Sequence, residues 1–573
     1  MDCLRPAVRV GILYPVLLFS VSFAALGQTP SSPAAKRGGS LNQNLYERQL
    51  RDSPLPPQVL PKPELDALAR SPASKGAAVS GRLKILVRRI ELSGNTAISA
   101  AELSALTRPY ENRTIDNHDL QQLRYDLTRY YTDRGYINSG AVIPDQSLKD
   151  GVLQLRLVEG RLTDIEITGQ EHFSESYLRR RIELGAEAPL QLDRLQERLL
   201  LMLENPLIER LNSRLKPGAK AGDAILETRI TERKPYQAGL IFDNQVAPSI
   251  GGYEGTVYAG HRNLFGRSDQ LSGQARFAGG LISYGFDYTL PLNRYDTTAH
   301  AWYSHHDANV VETPFNEIDI ESTSESYGLT VAHPFYQRPG RNFSSSLTLE
   351  RRRSQTFLLG QPFSFSEGVP ADGKSSVTVL RIGQSWYGRS VDQVLALRSS
   401  FNIGLDAFDA TVNRSGPDGR FFSWLGQLQW ARRFDQAQLI FRTDLQVSRD
   451  SLLPLEKFQI GGAASVRGYR ENQIVRDWGF SSSLEYRHPL FSESLGQGKL
   501  FLAPFVDVGG AWNVGQPTPK PEVLVSVGLG MIWEPDRRLH THLYWGKPLV
   551  DVGNPNEDPQ DYGLHFKVAG EFF

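Results

Sequence analysis

The feature that most constrains the fold of this 573-residue chain is a long series of short amphipathic segments that begins after residue 235. Apolar and polar residues alternate along each segment, which is typical of β-strands whose two faces meet different surroundings. The pattern predicts about sixteen strands, an even number of the kind found in bacterial membrane barrels. The strands lie near residues 236–245, 253–262, 269–277, 281–290, 296–305, 321–333, 342–352, 375–386, 394–405, 420–431, 437–447, 476–488, 498–508, 523–533, 538–546 and 562–573.

The eleventh of these strands shows what the alternation implies. One face carries Leu439, Phe441, Leu445 and Val447, and the other carries Gln438, Arg442, Asp444 and Gln446. A soluble β-sandwich would alternate in the same way. An export signal, the unbroken series of strands and an aromatic C-terminus favour instead an antiparallel transmembrane β-barrel over residues 235–573.

Residues 1–27 are predicted to be a secretory signal peptide. Arg5 and Arg9 precede an apolar stretch at 11–23, and small residues at 25–27 provide a cleavage site. No later apolar run reaches the roughly 20 residues that a spanning helix needs. The only cysteine, Cys3, lies inside the signal, so the mature chain would lack the thiols required for disulfides, thiol catalysis and cysteine-ligated metals.

The segment that follows the signal is polar. Residues 28–53 contain one short helix candidate at 41–51, and residues 54–82 form a proline-rich linker. Such a composition buries too little apolar surface to fold alone, so we expect a helix on a semi-extended tether. Across the whole chain the 63 Lys and Arg balance the 63 Asp and Glu, and this balance argues against a nucleic-acid partner.

Residues 83–160 and 161–234 are predicted to form two α/β domains with the same order of elements. The first has a strand at 84–92, helices at 100–106 and 117–134, and strands at 137–143 and 151–158; the second has a strand at 162–168, helices at 174–183 and 192–203, and strands near 208–215 and 224–231. Asn117 is the expected N-cap of the longest helix and Gly135 its stop. The repeated order indicates duplication, and an open sheet edge in such a domain can receive an extended client strand.

One connection in the barrel is long. If the first strand rises from the preceding domains, the link at 448–476 between the eleventh and twelfth strands starts on the extracellular side. With roughly 28 residues it is long enough to fold back into the lumen. It contains Val466, Arg467, Gly468 and Tyr469, a lone large cation among small residues.

Together these features resemble the TpsB transporters of two-partner secretion, which export haemolysins and haemagglutinins. The stretch from Arg134, Gly135 and Tyr136 through 159–161 looks like the end of the family's first POTRA domain. The Val466–Tyr469 motif and the spacing of Phe505, Asp507 and Gly509 are similar to two barrel motifs of the wider superfamily. The resemblance covers nearly the whole mature chain.

The resemblance implies a function and a location. The POTRA-like domains would lie in the periplasm and recognise an unfolded exoprotein of the TpsA type, a haemolysin or an adhesin, which the outer-membrane barrel then secretes. The helix at 41–51 would occupy the pore at rest, and folding of the exported chain outside would drive transport. Outer-membrane lipids, and the barrel-assembly machinery and periplasmic chaperones during biogenesis, are the other partners implied.

Strand parity agrees with a pairing carried over from the family. Phe505, Asp507 and Gly509 face the lumen in the thirteenth strand, where an ionised carboxylate needs a cation. Arg467 on the infolded loop can supply bidentate hydrogen bonds to Asp507. Glu485 on the twelfth strand also points inward, so it either shares the arginine or competes for it. These three residues are the predicted latch between loop and barrel.

The last strand resembles the C-terminal signal of outer-membrane proteins. Its apolar alternation runs through Phe566, Val568 and Phe572. The final residue, Phe573, is out of phase with the others, and this leaves the register of the closing strand open.

Three other functions are open to such a chain. A barrel-assembly insertase of the same superfamily is the serious alternative, although such relatives usually have more periplasmic repeats. A simple porin would leave both soluble domains unexplained. An enzyme would need a site such as the cluster His305, His306 and Asp307, but neighbouring residues on a strand point to opposite faces. We therefore expect no catalysis, metal or cofactor.

Overall fold

The computed structural model describes residues 64–66, 84–491, 498–536 and 538–572. The predicted signal peptide, the helix candidate at 41–51 and Phe573 lie outside the described residues. No helix in the described part of the chain is both long enough and apolar enough to span a membrane.

The first repeat contains the two predicted helices, at Ala100–Thr107 and Asn117–Thr132. Its strands are Ile85–Val87, Arg89–Ser93, Arg113–Ile115, Gly140–Val142 and Val152–Val158. The longer helix packs Leu123 and Leu127 into a core shared with the sheet. The prediction that Asn117 caps this helix is wrong, because Asp116 is the N-cap and forms a capping box with Asp119.

The second repeat contains helices Glu175–Ile182 and Leu192–Leu203 and strands Arg161–Thr168, Ile208–Pro217 and Asp223–Glu232. Leu195 and Leu199 of the longer helix are fully buried against the sheet. The linker contributes a short strand, Glu64–Asp66, which pairs in parallel with Ile208–Pro217. One edge of this sheet is therefore covered by the chain's own linker.

The two repeats share a glycine turn, and a carboxylate that binds the loop after it, at the same place in each fold. Gly94 and Gly169 follow the first strand of the α/β order with φ of +82° and +83°, and a side chain at either would collide with a carbonyl of the last strand. The last strand is followed by Glu159 in the first repeat and ends on Glu232 in the second, and each carboxylate accepts backbone N–H bonds from the loop after that glycine. This correspondence supports duplication more strongly than element order alone.

The C-terminal region confirms the predicted barrel of sixteen strands, which pair in chain order and close on themselves. The strands are Tyr236–Asp243, Glu254–His261, Gln270–Ala278, Leu281–Pro291, Thr298–Asn309, Ile320–Arg338, Arg341–Leu358, Lys374–Arg389, Gln393–Leu405, Phe422–Phe434, Ala437–Ser448, Trp478–Phe491, Lys499–Trp512, Val523–Glu534, Leu539–Pro548 and Leu564–Glu571. A two-residue strand, Gln361–Pro362, adds to the outer end of the seventh.

The two faces of the wall have the predicted character. On the fourteenth strand Val527, Leu529 and Met531 are exposed on the outer face, while Leu524 and Ser526 are fully buried inside. An apolar outer face and a polar or packed inner face are what a membrane-spanning strand requires.

The wall is uneven in height. The sixth and seventh strands pair from Ile320 to Arg338, whereas the first and last strands pair only from Gly239 to Asp243. The closing seam is therefore held by few backbone hydrogen bonds.

The second repeat docks on turns at one end of the barrel. Arg181 donates to Asp296 through Nη2 at 2.6 Å, and the Glu204 carboxylate accepts the N–H of Gly340 at 2.7 Å. Asn205 donates to Ser268 at 2.8 Å. These contacts fix the end of the barrel at which the repeats lie.

Candidate functional site

The link between the eleventh and twelfth strands, residues 449–477, folds into the barrel and is called the inner loop below. Two short strands within it, Phe458–Ile460 and Ile474–Arg476, pair with each other. Val466 and Tyr469 pack with these strands against Ala511 and Leu524 of the wall in a buried apolar cluster. The loop is thus a small folded unit held against strands thirteen and fourteen.

Arg467 lies at the centre of a buried ionic cluster. Its Nε and Nη2 donate to the two oxygens of Asp507 at 2.8 and 2.9 Å, and its backbone N–H donates to Asp507 Oδ2 at 3.0 Å. Nη1 donates to Glu485, and Nη2 donates to Ser483 at 3.0 Å. The structure therefore brings the three predicted latch residues together, with Glu485 sharing the arginine.

The cluster is almost completely removed from solvent. The side chains of Arg467, Glu485 and Asp507 are 5%, 1% and 0% exposed. Arg487 donates to the second oxygen of Glu485 at 2.7 Å, so this carboxylate contacts two arginines. Buried charges are tolerated when they are paired in this way, and removing one partner leaves the others uncompensated.

Aromatic rings complete the setting of the arginine. The guanidinium carbon of Arg467 lies 3.6 Å from the ring centre of Phe505 and 4.7 Å from that of Tyr544. Arginine is suited to such a place because it stacks on rings while its edge donates hydrogen bonds. Phe505 thus contacts the guanidinium beside the carboxylate, a role that spacing alone did not show.

The neighbours of Arg467 in the motif each make a specific contact. Gly468 has φ of +92°, and a Cβ there would lie 2.8 Å from the carbonyl oxygen of Gly546, so two backbones approach closely at this point. The Tyr469 hydroxyl donates to the carbonyl of Val525 at 2.8 Å. Val466 lies against Gly509, where a Cβ would be 2.8 Å from its methyl group. The motif therefore fits the wall as one piece.

A second ionic cluster, which the sequence did not reveal, lies three residues further along. Arg470 donates to both oxygens of Asp561 and, at 2.7 Å, to Glu312. Burial alone would lower the pKa of Arg470, but its hydrogen bonds to these two carboxylates raise it above the ordinary value. Burial would likewise raise the pKa of Asp561, but the hydrogen bond from Arg470 holds it below its usual range.

Gln560 connects the inner loop to the closing seam. Its amide donates to the carbonyls of Asn244 and Val246 at 2.8 and 2.7 Å, and its oxygen accepts the N–H of Glu471 at 2.9 Å. Asn244 in turn donates to the carbonyl of Leu564 at 2.9 Å. The inner loop is thereby joined to the first and last strands at the seam, where these two strands share few backbone hydrogen bonds.

A third anchor holds the start of the inner loop to the opposite wall. Glu456 accepts hydrogen bonds from Arg352 at 3.2 Å and from Arg381 Nη2 at 2.9 Å. Arg381 also donates to Glu350 at 2.8 Å. No spacing rule connects these residues, because they lie on the loop and on the seventh and eighth strands.

The remaining sequence candidates lie apart from this site. Phe566 and Val568 are on the outer face of the last strand, where Phe566 packs 5.5 Å from Phe242. Phe572 follows the end of that strand and is exposed.

The histidine pair separates as expected. His306 bonds to Ser283 at 2.7 Å, and His305 bonds to Asp307 at 3.0 Å. Among the described residues no group of three or more His, Cys, Asp or Glu is arranged to hold a metal ion.

Comparison with known proteins identifies the family. Residues 222–532 match the family model described as haemolysin secretion/activation protein ShlB/FhaC/HecB, and residues 85–160 match the ShlB-type POTRA domain. The chain belongs to this family. It is an outer-membrane transporter of two-partner secretion, with its POTRA domains in the periplasm.

Individual relatives agree over most of the chain. The outer membrane transporter CdiB of Dickeya dadantii is 24% identical over 478 residues, which cover 79% of this chain and 81% of the relative. The heme/hemopexin transporter protein HuxB of Haemophilus influenzae is 22% identical over 96% of both chains. The structure of CdiB from Escherichia coli superimposes with a TM-score of 0.65 at 21% identity, covering 93% of this chain and 97% of that chain.

The insertase alternative is related only through the fold. BamA from Haemophilus ducreyi superimposes with a TM-score of 0.53 at 13% identity, over 86% of this chain and 100% of that structure. Such a likeness reflects a shared barrel and carries no function.

Proposed function

We propose that the POTRA domains of this transporter recognise an unfolded exoprotein of the TpsA type, a haemolysin or an adhesin, which then passes through the barrel to the cell surface. The observation that carries the proposal is the difference between the two POTRA sheets. In the described residues the first sheet ends on Arg89–Ser93 and on Gly140–Val142. The second sheet ends on Arg161–Thr168 and on the linker strand, which covers Ile208–Pro217, the counterpart of Gly140–Val142. An unpaired strand offers N–H and C=O groups to an extended client.

The inner loop is proposed to hold the barrel in its transport-competent form. Arg467, Asp507 and Glu485 fix the loop to the twelfth and thirteenth strands, and Gln560 extends the connection to the seam. Because these charges are paired and almost completely buried, the cluster fixes the position of the loop and adds little to the net free energy of unfolding. The finer roles of Val466, Gly468 and Tyr469 follow from their fit against the same wall.

Deletion of the gene in its source organism, followed by mass spectrometry of the culture medium, tests the transport function. We expect one or a few large proteins to disappear from the medium, and expression of the intact chain to restore them. A chain lacking residues 83–160 should insert but fail to restore secretion. Loss of several unrelated outer-membrane barrels, with the medium unchanged, would indicate the insertase function instead.

The segment at 28–53 is proposed to plug the pore at rest, as the family resemblance implies. The proline-rich linker would then allow the plug to leave. Pore conductance in planar bilayers, measured with and without residues 28–53, tests this role. We expect a higher conductance after the deletion, and an unchanged value would rule out a plug.

A further inference from the structure

A groove in the outer face of the barrel wall is formed by strands eight to eleven. Its volume is about 340 Å³. Strand register places its lining residues opposite one another on the outward face, where Leu397 and Leu445 are 39% and 37% exposed. The residues that shape it are Trp386, Leu397, Ser399, Trp424, Gly426 and Leu445.

The groove is concave because small residues lie between large ones. Ser399 and Gly426 are neighbours across two strands, and Trp424 folds along its own strand beside them. The Trp424 indole N–H donates to the Ser399 hydroxyl at 2.9 Å, and Thr443 donates to the carbonyl of Ser481 at 3.1 Å. These polar atoms are satisfied within the wall, so the groove offers mainly apolar surface to an occupant.

A cation lies on the same face of the tenth strand. Arg432 is four residues beyond Leu428 of the groove, a distance of roughly 13 Å along the strand. Its side chain is 46% exposed, and its ion pair with Asp392 at 3.9 Å is too long for a direct hydrogen bond. Trp430 lies on the same outward face between Arg432 and the groove.

The end of the barrel that carries Arg432 is the periplasmic one. Glu204 of the second POTRA domain accepts the N–H of Gly340, in the turn before the seventh strand, and the turn after the tenth strand lies at the same end. An aromatic and a cation at this rim match the depth at which lipid headgroups meet a barrel. The groove then lies in the hydrocarbon of the periplasmic leaflet.

We propose that this groove is a binding site for one phospholipid of the periplasmic leaflet. One acyl chain would lie between Leu397 and Leu445, and the phosphate would meet Arg432. The groove is continuous with the lipid-facing wall and carries the complementary charge at the correct end. Its volume is at the lower end of the range for small-ligand sites.

Photo-crosslinking of the full-length transporter tests the site. The protein is reconstituted in phosphatidylethanolamine vesicles with a trace of the same lipid carrying a diazirine in one acyl chain. We expect labelled peptides to come mainly from strands eight to eleven. Leu397→Trp, which fills the groove, should lower this labelling at least fivefold. The matched Leu529→Trp, on the outer face of the fourteenth strand, should leave it unchanged.

The other outcomes overturn the proposal. Labelling spread evenly over all outward strands, or labelling unaffected by Leu397→Trp, would mean ordinary surrounding lipid only. Unchanged labelling in Arg432→Ala would mean that Arg432 does not bind the phosphate. Labelling of these strands by a diazirine derivative of lipid A that is as strong as that by the phosphatidylethanolamine probe would contradict a phospholipid site. Should Leu397→Trp fail to insert as a folded barrel, Leu445→Trp fills the groove from its other side and takes its place.

Discussion

Two arginines three residues apart on the inner loop are both paired with carboxylates, yet they are attached to different kinds of structure. Arg467 is 5% exposed and binds Asp507 and Glu485 on barrel strands. Arg470 is 14% exposed and binds Asp561 and Glu312 in other loops, the latter 18% exposed. The first arginine fixes the loop to strands of the wall, whereas the second joins it to other loops. The position of the inner loop in the barrel should therefore depend mainly on Arg467.

The largest effect is expected from Arg467→Ala. It leaves two buried carboxylates with one fewer cation, a change that typically costs about 3–5 kcal/mol. The loop should leave the wall more often, so cleavage within residues 449–477 of the folded barrel by added protease should accelerate at least about a hundredfold. Arg449→Ala, an exposed arginine of the same loop, is the matched control. Equal cleavage rates in both variants would contradict the comparison.

Arg467→Lys should have the next largest effect. Lysine keeps the charge but cannot make the bidentate contact to Asp507 or stack flat on Phe505, so we expect a cost of about 2 kcal/mol. Arg470→Lys, measured in the same protease assay, should cost less because its site is more exposed. A lysine tolerated equally at both positions would show that charge alone, and not guanidinium geometry, holds the loop.

Arg470→Ala is expected to have a smaller effect than either change at Arg467. Water can replace part of the hydrogen bonding that Glu312 loses with Arg470. The charge-assisted hydrogen bonds to Asp561 are worth about 1.5 kcal/mol net. Loop cleavage should rise about tenfold, with the barrel's resistance to heat unchanged. A rise as large as that of Arg467→Ala would mean that the loop-to-loop contacts matter as much as the wall.

Acidification should give the smallest effect, confined to the Arg470 side. Burial raises the pKa of Asp561, but the hydrogen bond from Arg470 and the other contacts of the carboxylate hold that pKa below its ordinary value of 3.8. A carboxyl with a lowered pKa contributes stability above its unfolded value and loses it as the pH falls through the folded one. Loop cleavage by an acid-active protease should stay constant from pH 7 to 5 and rise below pH 4. In Arg470→Ala this rise should be absent, and its persistence would assign the pH response elsewhere.

Sequence periodicity predicted the barrel well because a wall between lipid and lumen imposes a period of two on every strand. The same parity put Asp507 and Glu485 on the inner face, where the structure shows both in contact with Arg467. The Asp116 cap was missed although its signal was present, since an acidic residue stands three positions further on at Asp119.

Contacts between one loop and another were beyond sequence reasoning. Arg470 meets Glu312 and Asp561 from segments 158 and 91 residues away, and no loop carries a period that aligns such residues. The linker strand Glu64–Asp66 was also missed, because three residues give no alternation to detect. Where a function depends on contacts between loops, the contacting residues can be identified only from the structure.

We infer that the Arg467 cluster positions the inner loop for transport. The most direct test measures how much of the secreted protein, once identified by the gene deletion, reaches the medium per folded barrel. Arg467→Ala should lower this ratio at least tenfold, while Arg449→Ala should match the unchanged chain. Normal secretion by Arg467→Ala at normal barrel abundance would contradict the account.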